Sequence, residues 1–204
     1  MINCVVSRYK KDVEWVKKIN NINKFYIYDK ETPGSEYNIP FNKGHEASVY
    51  LKYIIDHYEK LTDFTFFIHD DEYAWHHRGS IIDNYNEAIR SKKLYYNING
   101  LTANSMNTVL KNCDDNKWTG DFLNWYNEYI EKFVPFKTLY LNDYHRTSAQ
   151  FLVHKSLITG LPLEFYEKIY EWILTTDYEN AKSSRFLEWT WHIMWDIYPN
   201  FAAR

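Results

Sequence analysis

The sequence predicts a single α/β domain in which a mostly parallel central sheet is flanked by helices. Short β-branched and aromatic runs alternate with amphipathic segments over the first 90 residues, and this alternation is typical of parallel sheets. The run DFTFFI at 63–68 has no apolar–polar alternation, as expected for a strand covered on both faces. A chain of 204 residues is long enough for one full core, and it contains no repeat or low-complexity linker. We therefore treat residues 1–204 as one domain.

The chain opens with a predicted β-α-β unit. Residues 2–6 (INCVV) and 25–28 (FYIY) predict strands. Between them, KKDVEWVKKI predicts a short helix because Val13 and Val16 are flanked by charged residues. The segment HEASVYLKYIIDHYEKL at 45–61 has apolar residues at helical spacing and predicts an amphipathic helix leading into the buried strand.

The second half of the chain predicts a further strand–helix series. Helices are expected over 81–90 and over the aromatic-rich stretch 118–133, and KLYYNING at 93–100 predicts a strand and a turn. A strand running into a helix is predicted for SAQFLVHKSLI. A helix with Pro162 near its start is predicted for LPLEFYEKIYEWIL. A C-terminal helix is predicted for RFLEWTWHIMWDIY.

Composition and charge exclude several classes of partner. The net charge is −3 and no Lys/Arg block occurs, so we expect no nucleic-acid partner. Two cysteines, no basic-then-apolar leader and no apolar run near ~18 residues predict a cytoplasmic protein without a membrane span. The 19 Tyr and 8 Trp exceed the needs of an ordinary core, so some rings are expected to face a ligand.

An acidic cluster, His69-Asp70-Asp71-Glu72, directly follows the buried strand. Ligands of open α/β sheets bind beyond the carboxyl ends of the strands. Adjacent carboxylates repel one another there, and a hard divalent cation relieves that repulsion. Mg²⁺ and Mn²⁺ take one or two protein carboxylates and complete their coordination with phosphates and water. The equally weighted alternative is that these acids are simply solvated where the strand reaches the surface.

Five blocks of sequence together resemble a small, poorly characterised family found in microbes and large DNA viruses, whose members are similar to GT-A glycosyltransferases. The blocks are CVVSRYKKDVEWV, NKGHEASVYLKYIIDHYEKLTDFTFFIHDDEYAWHH, SAQFLVHKSLI, LPLEFYEKIYEWIL and LEWTWHIMW. The resemblance implies a GT-A-like, Rossmann-like fold and a DxD-type motif that holds Mn²⁺ or Mg²⁺. It also implies transfer of a sugar from a nucleotide-diphospho-sugar, with UDP favoured, to a glycan or protein-linked acceptor. The unmatched residues 91–140 are expected to form the acceptor side.

The resemblance places the metal motif at the acidic cluster, but a literal DxD is absent. Either His69-x-Asp71 or Asp70-x-Glu72 fits the spacing. We expect Asp71 to be the direct ligand, with Asp70 next and Glu72 third. Asp70 is also a candidate for holding a ribose hydroxyl.

The same resemblance implies nucleotide contacts at the ends of the first two strands. Ser7 and Tyr9 are candidates for contact with the base, Arg8 for a charge-assisted bond to phosphate, and Asp29 for ribose or uracil. The alternatives are a solvated Arg8 and an Asp29 that only forms the turn before KETPG.

The segment NKGHEAS is a further candidate for binding the diphosphate. Lys43 and the N-terminus of the following helix offer positive charge, and Gly44 would let the backbone approach a ligand closely. Alternatively, Lys43 faces solvent, Gly44 only ends a loop, and Glu46 interacts with the helix dipole.

Glu188 and His192 lie four residues apart and would share one face of a continuous helix. Glu188 could then act as the base of an inverting transfer, with His192 completing a metal shell or gripping a phosphate. The alternatives are that Glu188 pairs with Arg185 on a solvated face and that His192 is a core residue. Trp75, next to His76, is the aromatic residue expected near a sugar.

Two other functions remain open from the sequence. One is a noncatalytic carbohydrate- or nucleotide-binding module, in which the aromatic rings bind and the acids do no chemistry. The other is a zinc hydrolase built on His69, Asp71, His76 and His192, although no HExxH-like spacing supports it.

Overall fold

The computed structural model describes residues 1–135 and 145–197, and a five-stranded sheet lies at its centre. The strands are β1 (Ile2–Arg8), β2 (Lys24–Asp29), β3 (Phe64–His69), β4 (Tyr95–Asn97) and β7 (Phe151–His154). Their order in the sheet is β2-β1-β3-β7-β4, with parallel pairing of β1 to β2 and β3 and antiparallel pairing of β7 to β3 and β4. A separate ladder pairs β5 (Ala103–Asn104) with β6 (His145–Arg146). The predicted α/β class with a mostly parallel sheet is confirmed, and β7 makes the sheet mixed.

Seven α-helices are described around the sheet. They are α1 (Ala47–His57), α2 (Ile81–Ser91), α3 (Met106–Asp115), α4 (Thr119–Trp125), α5 (Lys155–Ile158), α6 (Leu163–Thr175) and α7 (Asn180–Glu188). Shorter turns are 3₁₀-helical at Glu14–Lys18 and Tyr58–Lys60 and π-helical at Tyr126–Ile130 and Ile193–Ile197. Among the described residues, no helix combines the length and apolar character needed to span a bilayer.

Helices bury both faces of the sheet. On β3, Phe67 belongs to one core with α1, α6 and α7, whereas Phe66 and Ile68 belong to a second core with α2 and the turn Glu14–Lys18. The prediction of a strand covered on both faces is therefore confirmed for β3.

The sheet topology creates a crevice beyond the carboxyl ends of β1 and β3. The chain passes from β1 to β2 on one side and then crosses to β3 on the other side of β1. In open α/β sheets such a point, where the connections diverge, is the usual ligand-binding position. Parallel pairing aligns Ser7 with His69 at this edge, so the acidic cluster lies next to the end of β1.

Two predicted helices differ from the structure. The β1–β2 connection has only the five-residue 3₁₀ turn Glu14–Lys18. The predicted C-terminal helix is broken, because α7 ends at Glu188 and the chain turns at residues 189–190 before the π-helical turn. The Thr190 hydroxyl donates to the Phe186 carbonyl at 3.0 Å, a side-chain bond that competes with regular helix pairing. Tyr198 and residues 136–140, which belonged to predicted segments, lie outside the described residues.

Gly44 has a packing role at the start of α1. Its φ is +67°, and its N–H donates to Asn180 Oδ1 at 3.0 Å. A Cβ at this position would lie 2.2 Å from Ile173 Cδ1 of α6. This glycine therefore lets the segment before α1 approach α6 closely.

Gly44→Ala should lower the free energy of unfolding by roughly 2 to 4 kcal/mol, because it adds a steric overlap to a left-handed backbone. Gly34→Ala is the matched control, since Gly34 has φ +80° and nothing within 4 Å of the added methyl. The control should lose only about 1 kcal/mol. Urea unfolding of both variants measures the difference, and equal losses would contradict the packing role.

Candidate functional site

A cavity of about 550 Å³ occupies the crevice beyond β1 and β3. Its walls come from the ends of β1, β2 and β3, the start of α1, the loop after β3, and α7. The lining residues are Ser7, Tyr9, Lys30, Asn42, His45, Glu46, His69, Asp70, Asp71, Trp75, His76, Asn180, Arg185 and Glu188. We call this space the first cavity.

Five residues proposed as functional from the sequence line this cavity together. They are Ser7, Tyr9, Asp70, Asp71 and Glu188, which come from three separate parts of the chain. His69, Trp75 and His76, which the sequence also singled out, line it as well. The strand-end rule therefore located the cavity correctly, whereas the chemical roles of these residues remain predictions.

Arg8 and Asp29 do not line the first cavity. Their side chains form an ion pair with each other across the paired ends of β1 and β2. Arg8 Nε also donates to the Lys11 carbonyl at 2.8 Å, and Asp29 Oδ1 accepts the N–H of Glu31 at 2.9 Å. Asp29 thus takes part in the turn that the alternative interpretation described, and the Arg8 guanidinium is paired with its carboxylate; their proposed contacts with a nucleotide stay predictions.

Lys43, Glu72 and His192 are also absent from the cavity lining. Lys43 Nζ donates to the Tyr178 carbonyl at 2.8 Å. His192 is buried, and its ring stacks on His145 with centroids 5.8 Å apart. Burial, followed by the effect of His145, lowers the pKa of His192 to about 3. The expectation that His192 and Glu188 point together into a cleft is not met, because the helix breaks between them.

Asp70 and Asp71 both face the cavity, and each already has one protein partner. Asp70 Oδ2 accepts the backbone N–H of Tyr9 at 2.6 Å. Asp71 Oδ2 forms an ion pair with Lys11 Nζ at the exposed mouth. The Tyr9 contact fixes the Asp70 carboxylate against the end of β1, whereas exposed ion pairs such as Lys11–Asp71 are weak and exchangeable.

Within residues 1–135 and 145–197, no three His, Cys, Asp or Glu side chains are arranged to hold a metal ion. A closed zinc-type site requires such a group. An Mg²⁺ or Mn²⁺ ion requires only one or two carboxylates beside ligand phosphates. The adjacent Asp70 and Asp71 fit that smaller requirement.

Glu46 and Glu188 form a buried acidic pair in the cavity wall. Glu46 is 7% exposed, and the Glu188 side chain is 14% exposed with Oε2 3.7 Å from Arg185 Nη1. Burial and then the negative charge of Glu46 raise the pKa of Glu188 to about 7. Burial likewise raises the pKa of Glu46, against the effects of Lys30 and Arg185. Glu188 therefore does not lie on a solvated face, and its protonation changes near neutral pH.

Two imidazoles in the cavity are held neutral. Burial is the main cause that lowers the pKa of His69 to about 4, with Lys30 adding to it and Asp70 opposing it. Burial and then His69 lower the pKa of His76 to about 4. His69 Nε2 lies 3.8 Å from Glu46 Oε2, which is too long for a hydrogen bond. These rings therefore offer neutral donors and acceptors to a ligand.

Unpartnered polar atoms concentrate around the first cavity. Among the described residues, five cavity-lining side chains have a buried polar atom without a hydrogen-bond partner: Ser7 Oγ, Asn42 Oδ1, Glu46 Oε1, His69 Nε2 and His76 Nδ1. Buried polar groups are nearly always satisfied in folded proteins, by water or ligand if not by protein. The cavity is therefore built to receive a polar ligand or ordered water.

Sequence reasoning missed six lining residues as functional candidates: Lys30, Asn42, His45, Glu46, Asn180 and Arg185. Lys30 could have been found by the strand-end rule, because it directly follows Asp29 at the end of β2. His45 and Glu46 had a weaker indication, their position after Gly44 at the start of a helix. Nothing in the local pattern indicated Asn180, which reaches this wall only through the packing of α7.

Glu188→Gln should flatten the pH dependence of stability between pH 5 and 8. The pKa of Glu188 rises from its ordinary value of 4.5 to about 7 in the folded protein, so folding binds a proton within this window. That contribution is complete below pH 4.5 and is lost as pH rises through about 7. The wild type should lose on the order of 2 kcal/mol more than the variant across the window.

Urea unfolding at pH 5, 6, 7 and 8 measures this difference. Glu171→Gln, on the exposed face of α6, is the control and should keep the wild-type profile. Parallel profiles for the wild type and Glu188→Gln would contradict the buried acidic pair.

Comparison with protein families matches residues 4–202 to the family described as protein of unknown function, DUF3431. Neither the curated proteins nor the solved structures include a significant match. The family match assigns no activity, so the resemblance to GT-A glycosyltransferases stays a prediction. Because the match covers almost the whole chain, the protein belongs to the DUF3431 family.

Proposed function

We propose that the protein is a GT-A-type glycosyltransferase. It would move a sugar from a nucleotide-diphospho-sugar, with UDP favoured, to a hydroxyl group of a glycan or protein-linked acceptor. The observation that supports this proposal most is the composition of the first cavity. The first cavity, beyond the carboxyl ends of β1 and β3, is lined by two adjacent carboxylates suited to a cation, Asp70 and Asp71. It is also lined by Glu188, a buried carboxyl group suited to proton transfer.

The donor would lie along the ends of β1 and β3. Lys30 and Arg185 supply positive charge to the diphosphate from within the cavity wall, and Ser7 and Tyr9 lie beside it. Asp70 and Asp71 would hold Mn²⁺ or Mg²⁺. When bound, such a cation supplies positive charge to the departing diphosphate.

Glu188 would act as the general base. Its carboxylate takes the proton of the acceptor hydroxyl while that oxygen bonds to C1 of the sugar. The bond from C1 to the diphosphate oxygen breaks, and its electron pair leaves on the diphosphate. Direct displacement of this kind inverts the configuration at C1. A base whose pKa lies near the working pH is the most effective one, and burial beside Glu46 gives Glu188 that property.

The cysteines are compatible with the proposed cytoplasmic location. Cys4 and Cys113 are both buried free thiols, as expected for a protein of a reducing compartment.

A nucleotide should stabilise the protein in a way that depends on a divalent cation. UDP or GDP at about 100 times its dissociation constant, with Mn²⁺, should raise the melting temperature by roughly 5 to 10 °C. The double variant Asp70→Asn/Asp71→Asn should lose this shift, because it removes both carboxylates from the cavity. Thermal unfolding with and without Mn²⁺ measures it.

The matched control is Asp114→Asn/Asp115→Asn. These adjacent aspartates are exposed at the end of α3 and do not line the first cavity. The control should keep the full shift. If the Asp70/Asp71 double variant keeps the manganese-dependent shift as well, the assigned cation site is wrong.

Glu188→Gln should slow turnover by about 10²- to 10⁴-fold, because it removes the proton acceptor. Release of UDP from a panel of UDP-sugars, with water as the simplest acceptor, measures the rate. The wild-type rate should rise with pH through about 7, since only the ionised carboxylate accepts a proton. Nucleotide affinity should remain within a few fold of wild type.

A noncatalytic binding module gives a different result. In that case nucleotide or sugar binds, but no UDP-sugar or GDP-sugar is turned over, and Glu188→Gln changes nothing. That outcome would overturn the enzymatic proposal.

A further inference from the structure

We infer that a second cavity beside the first binds an uncharged saccharide ring, which is the acceptor of the proposed transfer. This inference rests on the proposed function. The second cavity has a volume of about 270 Å³. It is lined by Trp75, Leu101, Thr102, Asn104, Asn112, Thr147, Ser148, Arg185, Glu188 and Trp189.

Three residues belong to both cavities: Trp75, Arg185 and Glu188. The two spaces therefore meet at the proposed base. A hydroxyl group held in the second cavity can reach the Glu188 carboxyl, while a donor occupies the first cavity.

The charges of the two cavities differ sharply. The first contains Lys30, Glu46, Asp70 and Asp71 in addition to the shared Arg185 and Glu188. Apart from that shared pair, every residue lining the second cavity is uncharged. Burying an ionised ligand without a partner is costly. The one cationic side chain of this lining, Arg185, lies 3.7 Å from Glu188, so the lining favours a neutral molecule over a phosphorylated or ionised one.

The polar side chains of the second cavity match the needs of hydroxyl groups. Asn104, Asn112, Thr102, Thr147 and Ser148 supply amides and hydroxyls. These groups both donate and accept hydrogen bonds. A sugar ring presents several hydroxyl groups that also do both.

Aromatic rings supply the apolar half of a sugar-binding surface. Trp75 is 70% exposed and stands at the boundary between the two cavities. Trp189 lines the second cavity and is almost fully buried. An indole gives the C–H face of a pyranose a flat platform.

The walls of the second cavity are fixed by hydrogen bonds. Asn104 Nδ2 donates to Thr147 Oγ1 at 2.8 Å, and Thr102 Oγ1 donates to the Thr147 carbonyl at 3.1 Å. The N–H of Leu101 donates to the His76 carbonyl at 2.8 Å, which ties this wall to the loop that carries Trp75. The site is therefore preorganised.

Ser148 joins this wall directly to the proposed base. Its φ is +72°, a left-handed conformation that is uncommon for serine. In that conformation its N–H donates to the carbonyl of Glu188 at 3.2 Å. Strained residues of this kind cluster at functional sites, and here the strain positions the end of α7.

The volume limits the size of the ligand. About 270 Å³ is slightly less than the ~300 Å³ at which sites for drug-sized molecules begin. One sugar ring fits this space, and the rest of a longer glycan would extend past the exposed Trp75 and Leu101 into solvent.

Saturation-transfer NMR of the whole chain tests the inference, with UDP or GDP and Mg²⁺ present. The probes are the neutral methyl glycosides of glucose, galactose, mannose and N-acetylglucosamine. Glucuronic acid and glucose 6-phosphate serve as charged comparators. Asn112→Leu replaces a half-buried amide that lines only the second cavity, and Asn86→Leu, on the exposed side of α2 and lining neither cavity, is the matched control.

We expect at least one neutral glycoside to give a signal that weakens at least tenfold in Asn112→Leu and persists in Asn86→Leu, while the nucleotide signal is unchanged in both. Nucleotide binding without any neutral glycoside signal, or with a signal that survives Asn112→Leu, would overturn the acceptor assignment and leave the proposed function intact. A stronger response to the charged sugars would also overturn it. If the nucleotide does not bind the wild type, the proposed function fails, and the acceptor assignment fails with it.

Discussion

The parallel pairing of β1 with β3 is the constraint on which the candidate site depends. Both strands are buried on both faces, and the polar residues Ser7, Arg8 and His69 stand at their carboxyl ends. The pairing aligns Ser7 with His69, and the chain then leaves the sheet through Tyr9 on one strand and Asp70 on the other. The hydrogen bond from the Tyr9 N–H to the Asp70 carboxylate closes this edge at 2.6 Å. Every other residue of the first cavity packs around that fixed edge.

The buried charged groups around this edge lower the stability of the folded protein. Glu46 and Glu188 are both buried, and like charges in a low-dielectric wall disfavour ionisation of either one. Lys30 and Arg185 offset part of this cost. Five unpartnered polar atoms add to it. A core of the same shape could be built more stably from apolar residues.

In the proposed reaction the two cavities would bind different substrates. The first cavity contains the charged groups that a diphosphate and a cation require, and the second contains the amides and hydroxyls that sugar hydroxyls require. Glu188 stands between them, held by its place at the end of α7 and by the Ser148 N–H.

The α/β class, the five strands of the central sheet and the position of the cavity beyond the third strand could all be predicted from the amino-acid sequence. These features follow from local periodicity and from the rule that polar groups appear where a buried strand ends. The sequence also indicated Ser7, Tyr9, Asp70, Asp71 and Glu188 as candidates. Three features became visible only in the folded chain: the ion pair of Arg8 with Asp29, the proximity of Glu46 to Glu188, and the burial of His192 outside the cavity lining. Burial and charge pairing depend on which distant segments meet, and α7 reaches α1 and β3 only through packing across more than a hundred residues of chain.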